Sequence, residues 1–272
     1  MIATVSTGLA DCHQVDVEKL EVRLARLPYE LDDLKVAHLS DFHYASERDA
    51  EVIRKAVCLI NELHPDVIFL TGDYVTFPNH LAAVPCAQIL SELHAPMGVF
   101  AVLGNHDQCN PQFISRALEG HGIAVLSNNA LHVDRHGARL WIAGVDDVLD
   151  GQPNLAESLS EIPNGEATVL LVHEPDFADS ARSFPVDLQL SGHSHGGQIR
   201  VPLIGAPYLP PLAHKYPSGL LQLGGLSLYT TRGIGTTFLP LRLNCPPEVT
   251  LLTLRSKFLK PSIGPVRDSI PR

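Results

Sequence analysis

Histidine, aspartate and asparagine side chains follow short apolar runs at five places in this sequence. The five turns are Asp41-Phe42-His43, Gly72-Asp73, Gly104-Asn105-His106-Asp107, Val172-His173 and Gly192-His193-Ser194-His195. Imidazoles and carboxylates without a thiolate favour Mn, Fe or Zn as bound metal, and the choice among these stays open. Two such ions, about 3.5 to 4 Å apart, need a ligand that bridges them, and a carboxylate can do so. Asp73 is the natural bridging candidate.

Coordination to two cations would give this site the chemistry of hydrolysis. A water shared by two ions has its pKa lowered toward about 7, so a hydroxide nucleophile is available near neutral pH. The cations also make an acidic cluster attractive to phosphate. The formal net charge of −10 argues against nucleic acid as the partner, because neutralising its backbone needs Lys and Arg.

The elements that must position these residues alternate between strands and helices. Apolar runs predict strands at 36–39, 67–70, 99–103, 140–145, 168–172, 186–190, 226–231 and 249–254. Helical spacing predicts helices from Ser46 to 63, over 81–93, and from Asn110 to Gly120. This alternation predicts an α/β fold with parallel strands, and ligands bind at the carboxyl ends of such strands.

Length and composition favour one domain. The chain has 272 residues, of which 45% are hydrophobic and 18% charged, as in an ordinary globular protein. We expect an N-terminal extension at 1–16, a single domain at 17–260 and a C-terminal tail at 261–272. A Pro-rich loop at 199–219 interrupts the alternation, and a loop of that length in a compact domain is usually functional or mobile.

The expected location is the cytoplasm, with peripheral contact at the inner membrane as an open alternative. No run approaches the roughly 18 apolar residues of a spanning helix, and the first ten residues make a poor signal peptide. The five cysteines are scattered and fit a reducing compartment. Apolar residues at 201–212 could offer a membrane surface. No protein partner is evident.

The ordered series of turns resembles the calcineurin-like metallophosphoesterase superfamily over residues 35–198. The segments 196–200, 232–235 and 241–248 further resemble a bacterial branch that includes YaeI- and YkuE-like phosphodiesterases and chlamydial UDP-2,3-diacylglucosamine hydrolase. The resemblance implies a sandwich of two mixed β-sheets flanked by helices, α/β/β/α, with a dimetal site at the strand ends.

The resemblance also implies a role for each residue of the site. One metal would take Asp41, His43, Asp73 and His195, and the other Asp73, Asn105, His173 and His193. His106 would stabilise the charged transition state and protonate the leaving oxygen, with Asp107 orienting it.

Four further residues are candidates for the surroundings of the metals. Arg232 and Arg200 could meet phosphate oxygens. Asp146 and Asp147 follow a strand and could orient a ligand histidine.

The predicted function is hydrolysis of a phosphodiester or pyrophosphate bond by in-line attack of a metal-bridging hydroxide. The substrate would be a phosphate-containing small molecule or a nucleotide-linked lipid, and cleavage of the UDP-2,3-diacylglucosamine pyrophosphate in lipid A synthesis is the sharpest hypothesis. A phosphoprotein or small-molecule phosphomonoesterase is the alternative within enzymes. A non-catalytic metal-binding module is the alternative outside them.

Overall fold

Two six-stranded sheets form the centre of the molecule in this computed structural model, which describes residues 9–10 and 14–258. A separate short pair, β1 (Leu9–Ala10) with β13 (Arg242–Leu243), is antiparallel. The strands of the first sheet, in spatial order, are β2 (Asp16–Leu24), β14 (Glu248–Ser256), β3 (Leu34–Leu39), β4 (Val67–Thr71), β5 (Val99–Val102) and β6 (Ala124–Val125). The run from β3 to β6 is parallel, while β14 is antiparallel to β3 and parallel to β2.

The second sheet has a parallel centre with antiparallel edges. Its strands, in spatial order, are β11 (Gly219–Leu223), β12 (Leu226–Thr230), β10 (Leu188–Ser191), β9 (Ala167–Leu171), β8 (Ala138–Gly144) and β7 (Asn129–Arg135). Hairpins add β11 and β7 to the parallel strands β12, β10, β9 and β8. Because both central runs are parallel, each sheet gathers its strand carboxyl ends at one edge.

Helices cover the outer faces of the two sheets. They are α1 (Glu47–Glu62), α2 (Ala83–Leu90), α3 (Pro111–Glu119), α4 (Leu155–Ser158) and α5 (Ala178–Ala181), with 3₁₀ turns at Tyr29–Leu31, His80–Ala82, Asn105–Cys109, Pro175–Phe177 and His195–Gly197. Helix α1 begins where predicted, because Ser46 and Asp49 form a capping box. Asn110 caps α3 by accepting the Phe113 N–H.

Three apolar clusters hold these layers together. One lies between the first sheet and α1, α2 and α3. A second fills the seam between the two sheets, where Phe69 and Val102 of the first meet Val169 and Leu190 of the second. The third packs α4 and α5 on the outer face of the second sheet. The predicted two-sheet sandwich with flanking helices is confirmed.

The structure differs from the sequence prediction mainly at the edges. Strands β7 and β11 were not predicted, and β2 begins at Asp16, inside the expected extension. The remaining extension and tail residues, 1–8, 11–13 and 259–272, lie outside the described residues, so the division into extension, domain and tail stays a prediction. Within the part of the chain that the structure describes, no helix has the length and apolar character to cross a membrane.

Candidate metal centre

The five turns predicted from the sequence meet at one place, where side chains of both sheets come together. The potential ligand atoms of Asp41, His43 and His195 lie within 4.8 Å of one another, and so do those of Asp73, His173 and His193. Asp41, His43 and Asp73 follow strands β3 and β4 of the first sheet, whereas the other three histidines follow β9 and β10 of the second. The centre therefore straddles the seam.

Left-handed backbone turns aim most of these side chains inward. Asp41, His43, Asp73, His193 and His195 all have positive φ, between 45° and 67°. This conformation is uncommon for residues with a Cβ and is often found at functional sites.

A glycine lets two of these turns approach each other. A Cβ at Gly192 would lie 2.0 Å from Ser40 Oγ and 2.4 Å from Asp41 Oδ2. Close contact between the β3 and β10 turns thus requires glycine at this position.

Asp73 lies between the two groups of ligands. Its Oδ2 is 3.3 Å from Nε2 of His43 and 3.2 Å from Nε2 of His173. In the first group, the Nε2 atoms of His43 and His195 are 3.0 Å apart, and His195 Nε2 is 3.5 Å from Asp41 Oδ1. This placement fits the bridging role predicted for Asp73.

Unpartnered polar atoms show that the residues present fit a pair of cations. Asp41 Oδ2 and Asn105 Oδ1 are buried without a hydrogen-bond partner, which is costly unless something else satisfies them. Two histidines are held through the opposite ring nitrogen, since His173 Nδ1 contacts the Thr71 carbonyl at 2.5 Å and His193 Nε2 contacts the Pro211 carbonyl at 2.9 Å. Such contacts orient metal-binding imidazoles.

Electrostatics sort the histidines into two states. Burial lowers the pKa of His193 to about 3, and burial together with His43 and Arg242 holds the pKa of His195 well below its usual range. Burial opposes charge on His173 too, but the Asp73 carboxylate prevails and raises its pKa well above 6.5. Two histidines are thus neutral and ready to bind a cation, while His173 holds a proton paired with Asp73.

His106 lies at the mouth of the centre, with its ring 4.7 Å from that of His43. Its Nδ1 accepts a hydrogen bond from the Phe77 N–H at 3.1 Å, so the ring proton is on Nε2. Burial is the main cause that lowers the pKa of His106. A neutral ring that carries its proton on Nε2 can donate a hydrogen bond from that atom. To act as an acid toward a leaving oxygen, the ring would first need a proton on Nδ1 as well, and this would break the contact with Phe77.

Asp107 does not orient His106 as predicted. Its Oδ2 accepts the N–H groups of Asp73 and Gly104 at 2.8 and 2.9 Å, and its Oδ1 accepts that of Tyr74 at 3.0 Å. The carboxylate therefore holds the turn that carries Asp73. Burial, followed by the charge of Asp73, raises the pKa of Asp107 to about 7.

The two candidate phosphate-binding arginines point elsewhere. Arg232 pairs through Nε with Glu248 at 2.6 Å and through Nη2 with Asp16 at 3.4 Å. Arg200 donates from Nη1 to the Gly196 carbonyl at 3.0 Å. Neither lines the metal cavity, so the geometry does not support the predicted phosphate contacts.

The paired aspartates act on their own loop. Asp146 accepts the N–H groups of Asp147 and Gln152, each at 2.9 Å, and Asp147 accepts that of Asp150 at 2.7 Å. Among the described hydrogen bonds, neither aspartate contacts a ligand histidine. Burial and then a hydrogen bond with Asp147 raise the pKa of Glu174, the residue that follows His173 in the chain. Asp147 is therefore linked to His173 only through Glu174.

Arg242 is a supporting residue that the sequence analysis did not identify. It is fully buried, and its guanidinium donates to the carbonyls of Arg232, Gly233 and Gly235 at 2.9, 3.1 and 2.6 Å and lies 3.4 Å from His195 Nδ1. The loop it holds packs directly on the metal centre, because a Cβ at Gly233 would lie 2.6 Å from Asp41 Cβ. A lone Arg in a mostly apolar segment was the available signal.

The centre opens into a cavity of about 170 Å³. The lining includes four predicted metal ligands as well as His106, and the rest is uncharged. The full set is Asp73, Asn105, His106, Leu149, His193, Ser194, His195, Gly197, Gln198, Tyr208, Pro210, Pro211, Thr237 and Phe238. It includes no Lys or Arg.

Known proteins share the sequence motifs and the fold of this chain. The family model for calcineurin-like phosphoesterases matches residues 34–197, more than half of the chain. The chain belongs to the calcineurin-like phosphoesterase family. Proteins of this family depend on two metal ions, and the candidate ligand groups of this chain agree with that.

Relatives and solved structures extend the comparison beyond the matched segment. The chain is 36% identical over 263 residues to the phosphodiesterase YaeI of Escherichia coli, covering 93% of this chain and 94% of the relative. It is 34% identical over 251 residues to the metallophosphoesterase YkuE of Bacillus subtilis, covering 90% and 87%. The sulfate thiohydrolase SoxB of Thermus thermophilus shares the fold with a TM-score of 0.52 at 13% identity, covering 84% of this chain and 57% of SoxB. This calcineurin-like phosphoesterase is therefore a metal-dependent hydrolase.

Proposed function

We propose that the protein is a dimetal phosphodiesterase. The observation that supports this most strongly is the pair of ligand groups joined through Asp73, with buried oxygen atoms of Asp41 and Asn105 left unpartnered beside it. Asp41, His43, Asp73 and His195 would hold one cation, and Asp73, Asn105, His173 and His193 the other. When bound, such a pair polarises phosphoryl oxygens and lowers the pKa of water.

The residues of the chain supply position and hydrogen bonds. His106 donates from Nε2 toward charge that develops on the phosphate, because Phe77 keeps the proton on that nitrogen. Asp107 keeps Asp73 in place by binding the backbone of its turn. Preorganised donors of this kind contribute about 10²- to 10³-fold to turnover.

A single phosphodiester suits the cavity better than a pyrophosphate. Only the cations would offset substrate charge, because no Lys or Arg lines the cavity. A nucleotide-linked lipid such as UDP-2,3-diacylglucosamine is the more specific alternative: apolar residues beside the cavity suit its acyl chains, but its pyrophosphate makes it the less favoured substrate. Cleavage of small aryl phosphodiesters without cleavage of this lipid, across several metals, would eliminate it.

We further propose a cytoplasmic protein with peripheral contact at the inner membrane. Leu203 and Ile204 of the Pro-rich loop are exposed apolar side chains that support such contact. A phosphate-containing small molecule is the proposed partner. Sedimentation with liposomes is the direct test, and protein that stays in the supernatant would refute the membrane contact.

Metal content and hydrolysis measured together test the function. Protein purified without chelator should hold about two ions per chain and cleave bis-p-nitrophenyl phosphate with Mn, Zn, Fe or Mg supplied. Fewer than one ion and no turnover after reconstitution would refute the proposal.

Substitution of His106 separates an enzyme from a metal-binding module. His106→Asn should keep the metal content and lower turnover by about 10²- to 10³-fold. His136→Asn is the matched control, because His136 is exposed and has a positive φ that Asn tolerates. Equal turnover in the two variants would show that His106 has no role in the chemistry.

A further inference from the structure

An apolar groove of about 220 Å³ lies beside the metal cavity. It is lined by Gly197, Gln198, Ile199, Pro207, Tyr208, Thr237, Phe238 and Leu239. Five of these residues, Gly197, Gln198, Tyr208, Thr237 and Phe238, also line the metal cavity. The groove therefore shares a wall with the cavity, and a molecule held at the metals can extend into it.

The walls of the groove are fixed to the turn that carries His195. The Gln198 side chain donates to the carbonyls of Thr237 and Leu239, both at 3.0 Å, and accepts the Thr237 N–H at 2.8 Å. On the other wall, a Cβ at Gly197 would lie 2.2 Å from Ala206 Cβ. These contacts set the position of the groove relative to the ligands of the metals.

The groove holds large apolar side chains in solvent. Phe238 is 89% exposed, and Tyr208 and Leu239 are 62% and 56% exposed. Phe238 also has a φ of 57°, a left-handed conformation that is strained for a residue of this size. Strain and exposure of an aromatic ring beside an active site are typical of a residue that contacts a ligand.

The chemistry of the lining selects the occupant. No Asp, Glu, Lys or Arg lines the groove, and the Gln198 and Thr237 groups bind each other, which leaves the Tyr208 hydroxyl as the remaining polar side-chain group of the lining. The groove therefore offers no charge to a second phosphate and few hydrogen bonds to a sugar, whereas its apolar side chains suit a hydrocarbon. Because the groove is continuous with the metal cavity, a hydrocarbon in it can belong to the molecule whose phosphate lies at the metals.

We propose that the groove binds a hydrocarbon chain of the substrate, so that the substrate class is a phosphodiester with one long apolar alcohol. This inference rests on the proposed phosphodiesterase function and narrows it. The metals and His106 act on the phosphate, while Tyr208, Phe238 and Leu239 cover the chain.

A series of p-nitrophenyl alkyl phosphates with methyl, butyl, hexyl and octyl groups tests the groove. All members have the same charge and leaving group. Each cleavage adds water across the P–O bond to the nitrophenyl group, giving the alkyl phosphate and nitrophenolate. We expect kcat/KM to rise about two- to fourfold per methylene, and at least about 10²-fold from methyl to octyl.

Substitutions in the groove should remove this dependence on chain length. In Phe238→Ser and in Leu239→Ser, the ratio of kcat/KM for octyl to methyl should fall at least about tenfold. Phe258→Ser is the matched control, because Phe258 is also exposed but lines neither cavity. The control should keep the ratio of the unsubstituted protein.

The outcomes separate this inference from the proposed function. Hydrolysis at equal kcat/KM for all chain lengths would overturn the inference and leave the phosphodiesterase intact. If no member of the series is hydrolysed with any metal, the proposed phosphodiesterase activity is refuted. Calorimetric titration with octyl and butyl phosphate would then test whether the groove binds a hydrocarbon chain. Octyl-selective binding lost in Phe238→Ser would support it, and equal binding would overturn it. A dimer that dissociates in Phe238→Ser would place a second copy in the groove and also overturn the inference.

Discussion

Replacing Arg242 by methionine should weaken one metal site and spare the other. The buried guanidinium donates to the backbone carbonyls of Arg232, Gly233 and Gly235. That loop in turn donates from the Gly235 N–H to the Asp41 carbonyl. Since Arg242 also lies 3.4 Å from His195 Nδ1, it supports the ligand group of Asp41, His43 and His195.

The magnitude follows from the hydrogen bonds that are lost. Each buried carbonyl left without its donor costs about 1 to 3 kcal/mol, and part of this is recovered because the loop can move toward water. We expect the free energy of unfolding to fall by about 3 to 5 kcal/mol, which lowers Tm by roughly 6 to 20 °C in a domain of this size. Loss of the support for His195 should weaken its metal site by about 10- to 100-fold.

A metal titration followed by elemental analysis measures the effect. Chelator-treated Arg242→Met should take up one ion at normal affinity and the second only at higher metal concentration. Arg26→Met is the control, because Arg26 is half-buried and also joins distant parts of the chain, through Asp187 and the Pro185 carbonyl, but lies away from the centre. It should lose stability without losing metal. Two ions bound to Arg242→Met at unchanged affinity would refute the reasoning.

Two further predictions concern protonation and the turn that carries Asp73. Because the Asp73 carboxylate raises the pKa of His173, the metal-free protein holds a proton there that a cation must displace. Metal affinity should therefore rise with pH. Calorimetry in buffers of different ionisation enthalpy should detect the protons that metal binding releases. An affinity that is equal at about pH 6 and pH 8 would contradict this prediction. Asp107→Asn replaces an acceptor oxygen by an amide beside the backbone N–H groups of the turn, so unfolding should become easier by about 1 to 3 kcal/mol in thermal denaturation. An unchanged Tm would show that Asp107 is not needed to hold the turn.

The elements and ligands of the centre could be predicted because each follows a local pattern. An apolar run that ends in Asp41 or His173 predicts a buried strand with a polar end, and parallel strands bring such ends together. The edge strands β7 and β11 were missed because they are largely exposed, as at Leu131 and Leu221, and show no clear apolar period.

The roles of the supporting residues depend on tertiary contacts that no local pattern reveals. Asp107 is adjacent to His106 in the chain, yet its carboxylate faces the backbone of the Asp73 turn. Arg232 was expected to meet phosphate, but Asp16, far away in the sequence, and Glu248 bind its guanidinium. Charged residues near a site in sequence can therefore belong to a different network in space.

The seam between the two sheets sets the spacing of the metal centre. Asp41 and Asp73 are carried by one sheet and His193 and His195 by the other, so the thickness of the apolar layer fixes how far apart the ligands stand. A core residue such as Phe69, which touches neither cation nor substrate, thereby acts as a spacer for catalysis. Substitutions in this layer should reduce metal retention before they unfold the chain. The side chains that the core can accept are therefore limited by the coordination geometry as well as by stability.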